Sequence, residues 1–343
     1  GTDVMPWCPR CGTGLSQHEI VTEGYKEVTH ESVYVTFQLK DTTNSHFLAW
    51  TTTPWTLSSN VSLAVNPNTT YVLVTHNNKQ LYLAKNLLKV LDGPYTVEQE
   101  VLGEELVGVE YHGIFSELPV QKDISHRVIP WNDVSDEEGT GIVHIAPGAG
   151  EEDFALGKEY SLDVIAPLDE SGNFIDGFGW LTGQNVSSVN PAIFQHLEET
   201  LHMYKVETYS HRYPVCWRCD TELVFRLVNE WFISMKELRS MIANVTRKIQ
   251  WIPEFGLKRE LDWLQNMDDW MISKKRYWGL ALPIYQCTCG NFEVMGSKDE
   301  LFSRAIEGWE TFEGQTPHRP WIDQVKIACG DCGATVSRIL DVG

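Results

Sequence analysis

The eight cysteines constrain this chain more than anything else in it. They fall in four close pairs, Cys8/Cys11, Cys216/Cys219, Cys287/Cys289 and Cys329/Cys332, three spaced C-x-x-C and one C-x-C. Two thiolates at such spacing reach one tetrahedral ion from a tight turn, each at about 2.3 Å. Turn residues stand within or beside every pair: Pro9, Arg10 and Gly12; Trp217 and Arg218; Gly290; Gly330 and Asp331. Cysteines this close make poor disulfides, and the stretch Gly1 to Trp7 carries no secretory signal pattern. Eight thiolates therefore suit two closed four-ligand zinc sites in a reducing, cytoplasmic compartment. No histidine stands at ligand spacing beside them, so both ions are expected to be structural and no catalytic metal is expected. Cys287/Cys289 and Cys329/Cys332 are near enough to form one local ribbon. That leaves Cys8/Cys11 to join Cys216/Cys219, roughly two hundred residues away. A zinc ribbon split so widely implies a whole domain inserted between its halves.

With 343 residues, 42% of them apolar, the chain can build two or more ordinary cores. No run of 18 apolar residues occurs, so no membrane partner is expected. The 27 basic and 47 acidic residues give a net charge of -20, which excludes a broad cationic surface. Any contact with nucleic acid then falls to a local patch, for which Lys274-Lys275-Arg276 is a candidate.

Between the ribbon halves the pattern is β. Ser32 to Leu39 alternates with period two, and Tyr71–Val74 and Gln80–Leu83 flank Asn77-Asn78-Lys79 as a hairpin. Further strands are predicted near 96–102, 106–114, 127–131 and 140–146. A helix is predicted from Pro191, capped by Asn190, with Ile193, Leu197 and Leu201 on one face. Another begins near Gly150, where Glu151, Glu152 and Asp153 complement the dipole. Asn229 to Asp269 reads as helical, with Trp231, Phe232, Trp251, Trp263 and Trp270 as mostly core residues. The expected architecture is α+β. A β-rich, barrel-like domain (23–205) sits between ribbon halves at 1–22 and 206–228, followed by a helical segment (229–285) and a second zinc ribbon (286–343).

Two segments carry candidate chemistry. In Leu48-Ala-Trp50-Thr51-Thr52-Thr53-Pro54-Trp55-Thr56-Leu57, closing with Asn60, three hydroxyls end a strand, where they can place a water or a sugar hydroxyl. In Gly139 to Phe154, His144 faces away from Val143 and Ile145, and Pro147-Gly148-Ala149-Gly150 turns into a helix. Glycines there admit close backbone approach, and a helix start favours an oxyanion. Asp153, one turn in, can hold a cation such as an α-amino group.

These two segments resemble the defining stretches of the editing insertion of isoleucyl-tRNA synthetases. Trp7 to Thr13 and His211 to Cys219 resemble the split ribbon that carries that insertion, and Asp269 to Gly279 resembles the family's return into its nucleotide-binding fold. Valyl and leucyl enzymes usually have Thr-Thr-Arg-Pro and Ala-His-Asp where this chain has Thr51-Thr52-Thr53-Pro54 and Gly148-Ala149-Gly150, which favours the isoleucine enzyme. Many bacterial members have histidine where Ala149 stands, so no second histidine is given a role. Neither ATP-binding motif of the class is present, so the chain is expected to be a fragment that does not aminoacylate.

The resemblance implies a hydrolase that deacylates mischarged valyl-tRNA(Ile). Its partners would be the acceptor end of tRNA(Ile) carrying valine and the remainder of the synthetase. Isoleucine and valine differ by one methylene, which a pocket distinguishes by only ~1–3 kcal/mol, a magnitude established on isoleucyl enzymes themselves. A second site that admits valine alone then removes the error. Thr51, Thr52, Thr53, His144 and Asp153 are the implied catalytic residues, with Trp55, Asn60, Gly148 and Gly150 binding substrate. The alternative is a zinc-stapled module that positions tRNA without catalysis.

Overall fold

The computed structural model describes residues 1–16, 19–20, 24–273 and 279–343. It divides into two compact units, residues 2–228, and Gly1 with 229–343.

The first unit opens with β1 (Thr2–Cys8) and β2 (Thr13–Gly14), antiparallel, with Cys8 opposite Thr13. The chain then runs out along β3 (Tyr25–Gln38) and turns back in β4 (Ser45–Thr51). It continues through β5 (Ser62–Val65), β6 (Thr70–His76), β7 (Lys79–Ala84), β8 (Thr96–Leu102), β9 (Arg127–Pro130) and β10 (Ile142–Ile145). Helices α1 (Glu151–Tyr160) and α2 (Asn190–Glu199) follow, before β11 (Met203–Pro214) and β12 (Val224–Asn229). β12 joins β1 and β2, so both ends of this unit meet in one small sheet.

Six strands form a sheet in the order β11-β3-β4-β7-β6-β8, and three more form β10-β5-β9. The large sheet is buried on both sides around β3 and β4. Tyr34 and Leu48 pack with Val72, Val74, Leu81 and Leu83 on one face. Val33, Val35, Phe37, Phe47 and Ala49 alternate with them and are equally enclosed. The strands do not close into a barrel: β11 and β8 are the two edges of an open sheet.

Local chemistry explains most turns. Asn77 and Asn78 have φ of 48° and 63°, as a two-residue hairpin between right-twisted strands requires. The strand expected at 106–114 is absent. Only isolated bridges, Glu110 to Arg127 and Tyr111 to Leu39, survive there, because Gly108 turns the chain at φ 84°. In α2, Asn190 lies inside the helix and does not cap it; Val189 is the flanking residue. Leu201, expected on the buried face with Ile193 and Leu197, is 74% exposed. It takes φ 60° as the helix closes, with Leu201 N–H donating to Glu198 O and His202 N–H to Leu197 O.

The second unit begins with β13 (Phe232–Ile233). The stretch read as one helical run is two helices, α3 (Met235–Thr246) and α4 (Phe255–Gln265), separated around Pro253, which has no N–H to continue a helix. Their shared core is small, centred on Met235, Leu264 and Met267. Trp263 and Trp270 are exposed, contrary to the expected core role. β14 (Trp270–Met271) pairs with β13. Lys274-Lys275-Arg276 lies outside the described residues, as does part of the run Asp269 to Gly279. Beyond it come the hairpin β15 (Ile284–Gln286) and β16 (Phe292–Val294), helix α5 (Lys298–Arg304), and the sheet β17 (Ala305–Glu307), β18 (Lys326–Ala328) and β19 (Thr335–Ser337). Tyr285, Phe312, Ile322, Val325 and Ile327 fill its core.

Candidate functional site

The cysteines assemble as two groups of four, Cys8/Cys11/Cys216/Cys219 and Cys287/Cys289/Cys329/Cys332, with the sulfurs of each group within 4.8 Å of one another. In the first, Cys8 and Cys11 each lie 3.5 Å from Cys219, and Cys11 lies 4.0 Å from Cys216. In the second, Cys287 lies 3.5 Å from Cys332 and Cys289 lies 3.7 Å from Cys329. Four thiolates around one tetrahedral ion at about 2.3 Å stand about 3.8 Å apart, so these separations fit an ion. All eight thiols are unbridged. Burial pushes the Cys8 thiol up, so the four sulfurs of its group need a cation before they can ionise together. Each group can thus hold one structural metal ion.

Each pair is folded as a knuckle. Gly12 N–H donates to Cys8 O at 2.9 Å, Asp220 to Cys216 O at 2.8 Å, Gly290 to Cys287 O at 3.0 Å and Gly333 to Cys329 O at 2.9 Å. The donor in every case has positive φ: 61°, 58°, 94° and 70°. Three are glycine, for which this is unstrained; Asp220 is the exception.

The second site lies in the domain between the ribbon halves. β4 ends at Thr51, and Pro54 starts a 3₁₀ helix (Pro54–Ser59) that leads into β5. β5 pairs antiparallel with β10, His144 opposite Leu63, so the threonine run and His144 are brought together. A line of hydroxyls connects them. Thr51 Oγ1 lies 3.3 Å from Thr53 Oγ1, which lies 3.4 Å from Thr56 Oγ1, which lies 3.0 Å from His144 Nε2. Thr53 N–H donates to Thr51 Oγ1 at 3.1 Å, and Thr56 Oγ1 donates to Thr53 O at 2.8 Å. His144 is only 8% exposed, and burial pushes its imidazole down to about 4, so it is neutral at physiological pH. Its Nδ1 is buried with no hydrogen-bond partner.

Asp153 approaches from α1. Its Oδ2 accepts the Ala146 N–H at 2.7 Å, tying the first turn of α1 to the end of β10. Burial raises its carboxyl to about 6; the Ala146 N–H opposes this and the Glu152 charge adds to it. Gly150 permits the arrangement, since a Cβ there would stand 2.8 Å from Asp153 Cγ. Such a carboxylate, half-shielded and accepting one hydrogen bond, is improved by a cation on its other oxygen.

The family description tRNA synthetases class I (I, L, M and V) matches residues 1–336. The chain belongs to this family. It is 43% identical over its whole length to the isoleucine–tRNA ligase of Clostridium acetobutylicum and 44% identical to that of Clostridium novyi. It spans about a third of the length of these relatives, 33% in each case. Among solved structures, the editing domain of the P. knowlesi cytosolic leucyl-tRNA synthetase aligns with 54% of this chain and 98% of that one, at 11% identity and a TM-score of 0.42.

Within this class I synthetase segment, several expected site residues make contacts that hold the fold. Asn60 Nδ2 donates to Ser62 O at 2.7 Å and its Oδ1 accepts from Tyr111 at 2.9 Å. Trp55 is buried in the 3₁₀ helix. Gly148 is required by packing, for a Cβ there would stand 2.0 Å from Ile165 O. The Ala149 N–H already donates to Ala146 O. Thr52 and Thr53 are half-buried beside buried Thr51. Thr56 was not singled out by its residue type or position, yet among the described residues it is the threonine that bonds His144. A polar residue repeating three positions after Thr53, on one face of a helical turn, was the available signal.

Proposed function

We propose that this chain hydrolyses the ester of tRNA(Ile) mischarged with valine, as the editing portion of an isoleucine–tRNA ligase. The observation that carries this reading is a half-shielded carboxylate on α1, one oxygen of which accepts the Ala146 N–H at the end of β10, the strand whose neutral His144 meets the threonine hydroxyls through Thr56. Asp153 holds the α-ammonium of the amino acid. Thr51, Thr52 and Thr53 line the pocket and place the ester and the attacking water. His144 forms its far wall; at this depth of burial it is too weakly basic to take a proton from water at neutral pH. The neighbouring hydroxyl of the tRNA can instead relay it, taking the water's proton as it hands its own to the departing ester oxygen, so that free amino acid and the intact terminal ribose are the products.

The two four-cysteine groups hold zinc as structural ions, which supply folding energy and no Lewis acid. Unbridged thiols at both sites agree with a reducing, cytoplasmic setting. No helix among the described residues is long and apolar enough to cross a membrane. In this reading the chain divides at 22/23, 205/206, 228/229 and 285/286, and the remainder of the synthetase is the partner that supplies aminoacylation.

Release of valine from valyl-tRNA(Ile) by the purified chain, with isoleucyl-tRNA(Ile) as control, is the test. Faster loss of valine than of isoleucine supports the reading. Binding of the tRNA with no loss of either amino acid replaces it with a zinc-stapled positioning module.

A further inference from the structure

The sulfurs of the two cysteine groups differ in how far they stand open to solvent. In the first group, Cys8 and Cys216 are buried with Leu15, Ile20 and Leu223, and Cys11 and Cys219 pack against the same cluster. In the second, Cys287 and Cys329 join the core, whereas Cys289 and Cys332 are exposed, as are Thr288, Gly290, Asp331 and Gly333 beside them. Each exposed sulfur has a buried one across the group: Cys289 Sγ lies 3.7 Å from Cys329 Sγ, and Cys332 Sγ lies 3.5 Å from Cys287 Sγ. A disulfide needs about 2.05 Å, so either pair closes by a movement of about 1.5 Å. An open sulfur with a second one poised next to it is the arrangement of an attacking and a resolving thiol. Bound zinc keeps such sulfurs as thiolates, the form that attacks a peroxide.

We propose that Cys289 and Cys332 are oxidation sites for small hydroperoxides, at which the second group closes into the disulfides Cys289–Cys329 and Cys287–Cys332 and gives up its ion, while the first group keeps its own. The release rests on the reading of each group as a zinc site. In the first step the Cys289 thiolate attacks the peroxide: an S–O bond forms, the O–O bond breaks, and the departing hydroxide takes a proton and leaves as water. In the second, the Cys329 thiolate attacks the sulfenic sulfur: the S–S bond forms, the S–O bond breaks, and a second hydroxide leaves as water with a second proton. The two sulfurs lose two electrons and the peroxide gains them. Two thiolates then remain, too few for a closed site, and a second peroxide joins Cys332 to Cys287 in the same way. The surrounding strands are also held without sulfur. Arg338 Nε donates to Asp323 Oδ1 at 2.9 Å, and its Nη1 donates to Leu282 O at 3.0 Å and Asp341 O at 2.7 Å. The core of Phe312, Ile322, Val325 and Ile327 lies beneath them. Oxidation therefore changes the knuckle tips and spares the framework, so a thiol reductant can return both sulfurs of each pair by exchange.

The test treats the zinc-loaded chain with hydrogen peroxide. Released zinc is read with 4-(2-pyridylazo)resorcinol, and the cysteines are mapped by blocking free thiols with N-ethylmaleimide before non-reducing peptide mass spectrometry. Elemental analysis beforehand should give about two ions per chain. One ion should then leave about tenfold faster than the other, since oxidation follows the exposure of the thiolate. The fast phase should coincide with peptides linked Cys289 to Cys329 and Cys287 to Cys332, while Cys8, Cys11, Cys216 and Cys219 stay unlinked. Dithiothreitol with added zinc should reverse both changes. Release of both ions at one rate, or oxidation of the first group alongside the second, overturns the selectivity. Linkage of Cys287 to Cys289 and of Cys329 to Cys332 overturns the pairing across the group. A chain that keeps both ions and all eight thiols under peroxide overturns the proposal as a whole. A chain that holds no zinc before peroxide overturns the metal reading and the release; disulfides that still form first at Cys289 and Cys332 would then uphold the oxidation sites on their own.

Discussion

The two cysteine groups share a knuckle design but differ in what they join. The first links Cys11 to Cys216 across 205 residues, and its Cys8 and Cys216 are buried. The second links Cys289 to Cys329 across 40 residues, and its Cys289 and Cys332 are exposed. An ion held by the first would clasp two ends of residues 2–228 together, and one held by the second would staple a short sheet to a hairpin. The same ligand chemistry serves long-range closure in one place and local reinforcement in the other.

The sharpest way to break this comparison is to open each clasp separately. We expect Cys216→Ser to lower the metal content from about two ions per chain to about one and to abolish cooperative melting of the β1, β2 and β12 sheet. Metal binding to such sites contributes on the order of 10 kcal/mol of folding energy. Cys329→Ser should lower metal content equally but leave the melting of residues 2–228 unchanged. Elemental analysis with calorimetry reads both, and equal damage to residues 2–228 from either variant would contradict the division of roles.

Next in size is a change that should spare both ions. Asp153→Asn should cost deacylation ~2–5 kcal/mol, the range for removing one member of a desolvated charge pair. Its effect on stability should have the opposite sign. The folded carboxyl titrates at about 6 against 3.8 for an unperturbed one, so the folded state binds the proton more tightly. Stability from this group is full below about pH 4 and falls as pH rises toward 6, a cost of about 3 kcal/mol at neutral pH. Asn avoids that cost and can still accept the Ala146 N–H, so at pH 7.5 the variant should melt higher while editing less. For the unaltered chain, deacylation should decline as pH falls through about 6, where the carboxylate is lost. A variant that melts lower, with activity intact, would remove Asp153 from the site.

His144→Ala should act on selectivity. Forcing one extra methylene into a packed pocket costs ~1–3 kcal/mol, and removing the wall should let isoleucyl-tRNA be hydrolysed about as readily as valyl-tRNA. The ratio of the two deacylation rates is the measurement, and a parallel fall in both would assign the ring to substrate positioning alone. Metal content should stay at about two ions per chain. The smallest effect compares the knuckles themselves. Asp220→Gly places at φ 58° the residue type the other three knuckles have there, and should raise the melting point by less than about 1 kcal/mol in stability. The ion pair it loses, Lys26 to Asp220 at 2.9 Å, is exposed and of little weight. A lower melting point would show that this contact matters more than the backbone.

The cysteine scheme was legible because ligand spacing is local: each pair states its own turn. The Asn77-Asn78 hairpin was legible for the same reason. The partners of Asn60 are invisible along the chain; Tyr111, which donates to it, is 51 residues away. Thr56 was passed over because its partner His144 is 88 residues away. Leu201 followed the helical period of Ile193 and Leu197, but period does not say where a helix stops. At Gly148 and Gly150 the sequence pointed to close approach by a ligand; the groups that crowd them within the fold are the Ile165 carbonyl and the Asp153 carboxyl.

The pairing of β11 with β3 sets a schedule for synthesis. Thr29 and Ser210, whose hydroxyls meet at 2.8 Å, are 181 residues apart. A ribosome adding about 5–20 residues per second needs on the order of ten to forty seconds to make that interval. Throughout it, one edge of β3 is without its strand, and the first two cysteines are without theirs. That waiting edge carries Lys26, Glu27 and Glu31, charges of the kind that discourage a stray strand from docking. The nascent chain thus holds its place open until the last strand of the domain arrives, and the metal can close the clasp only afterwards.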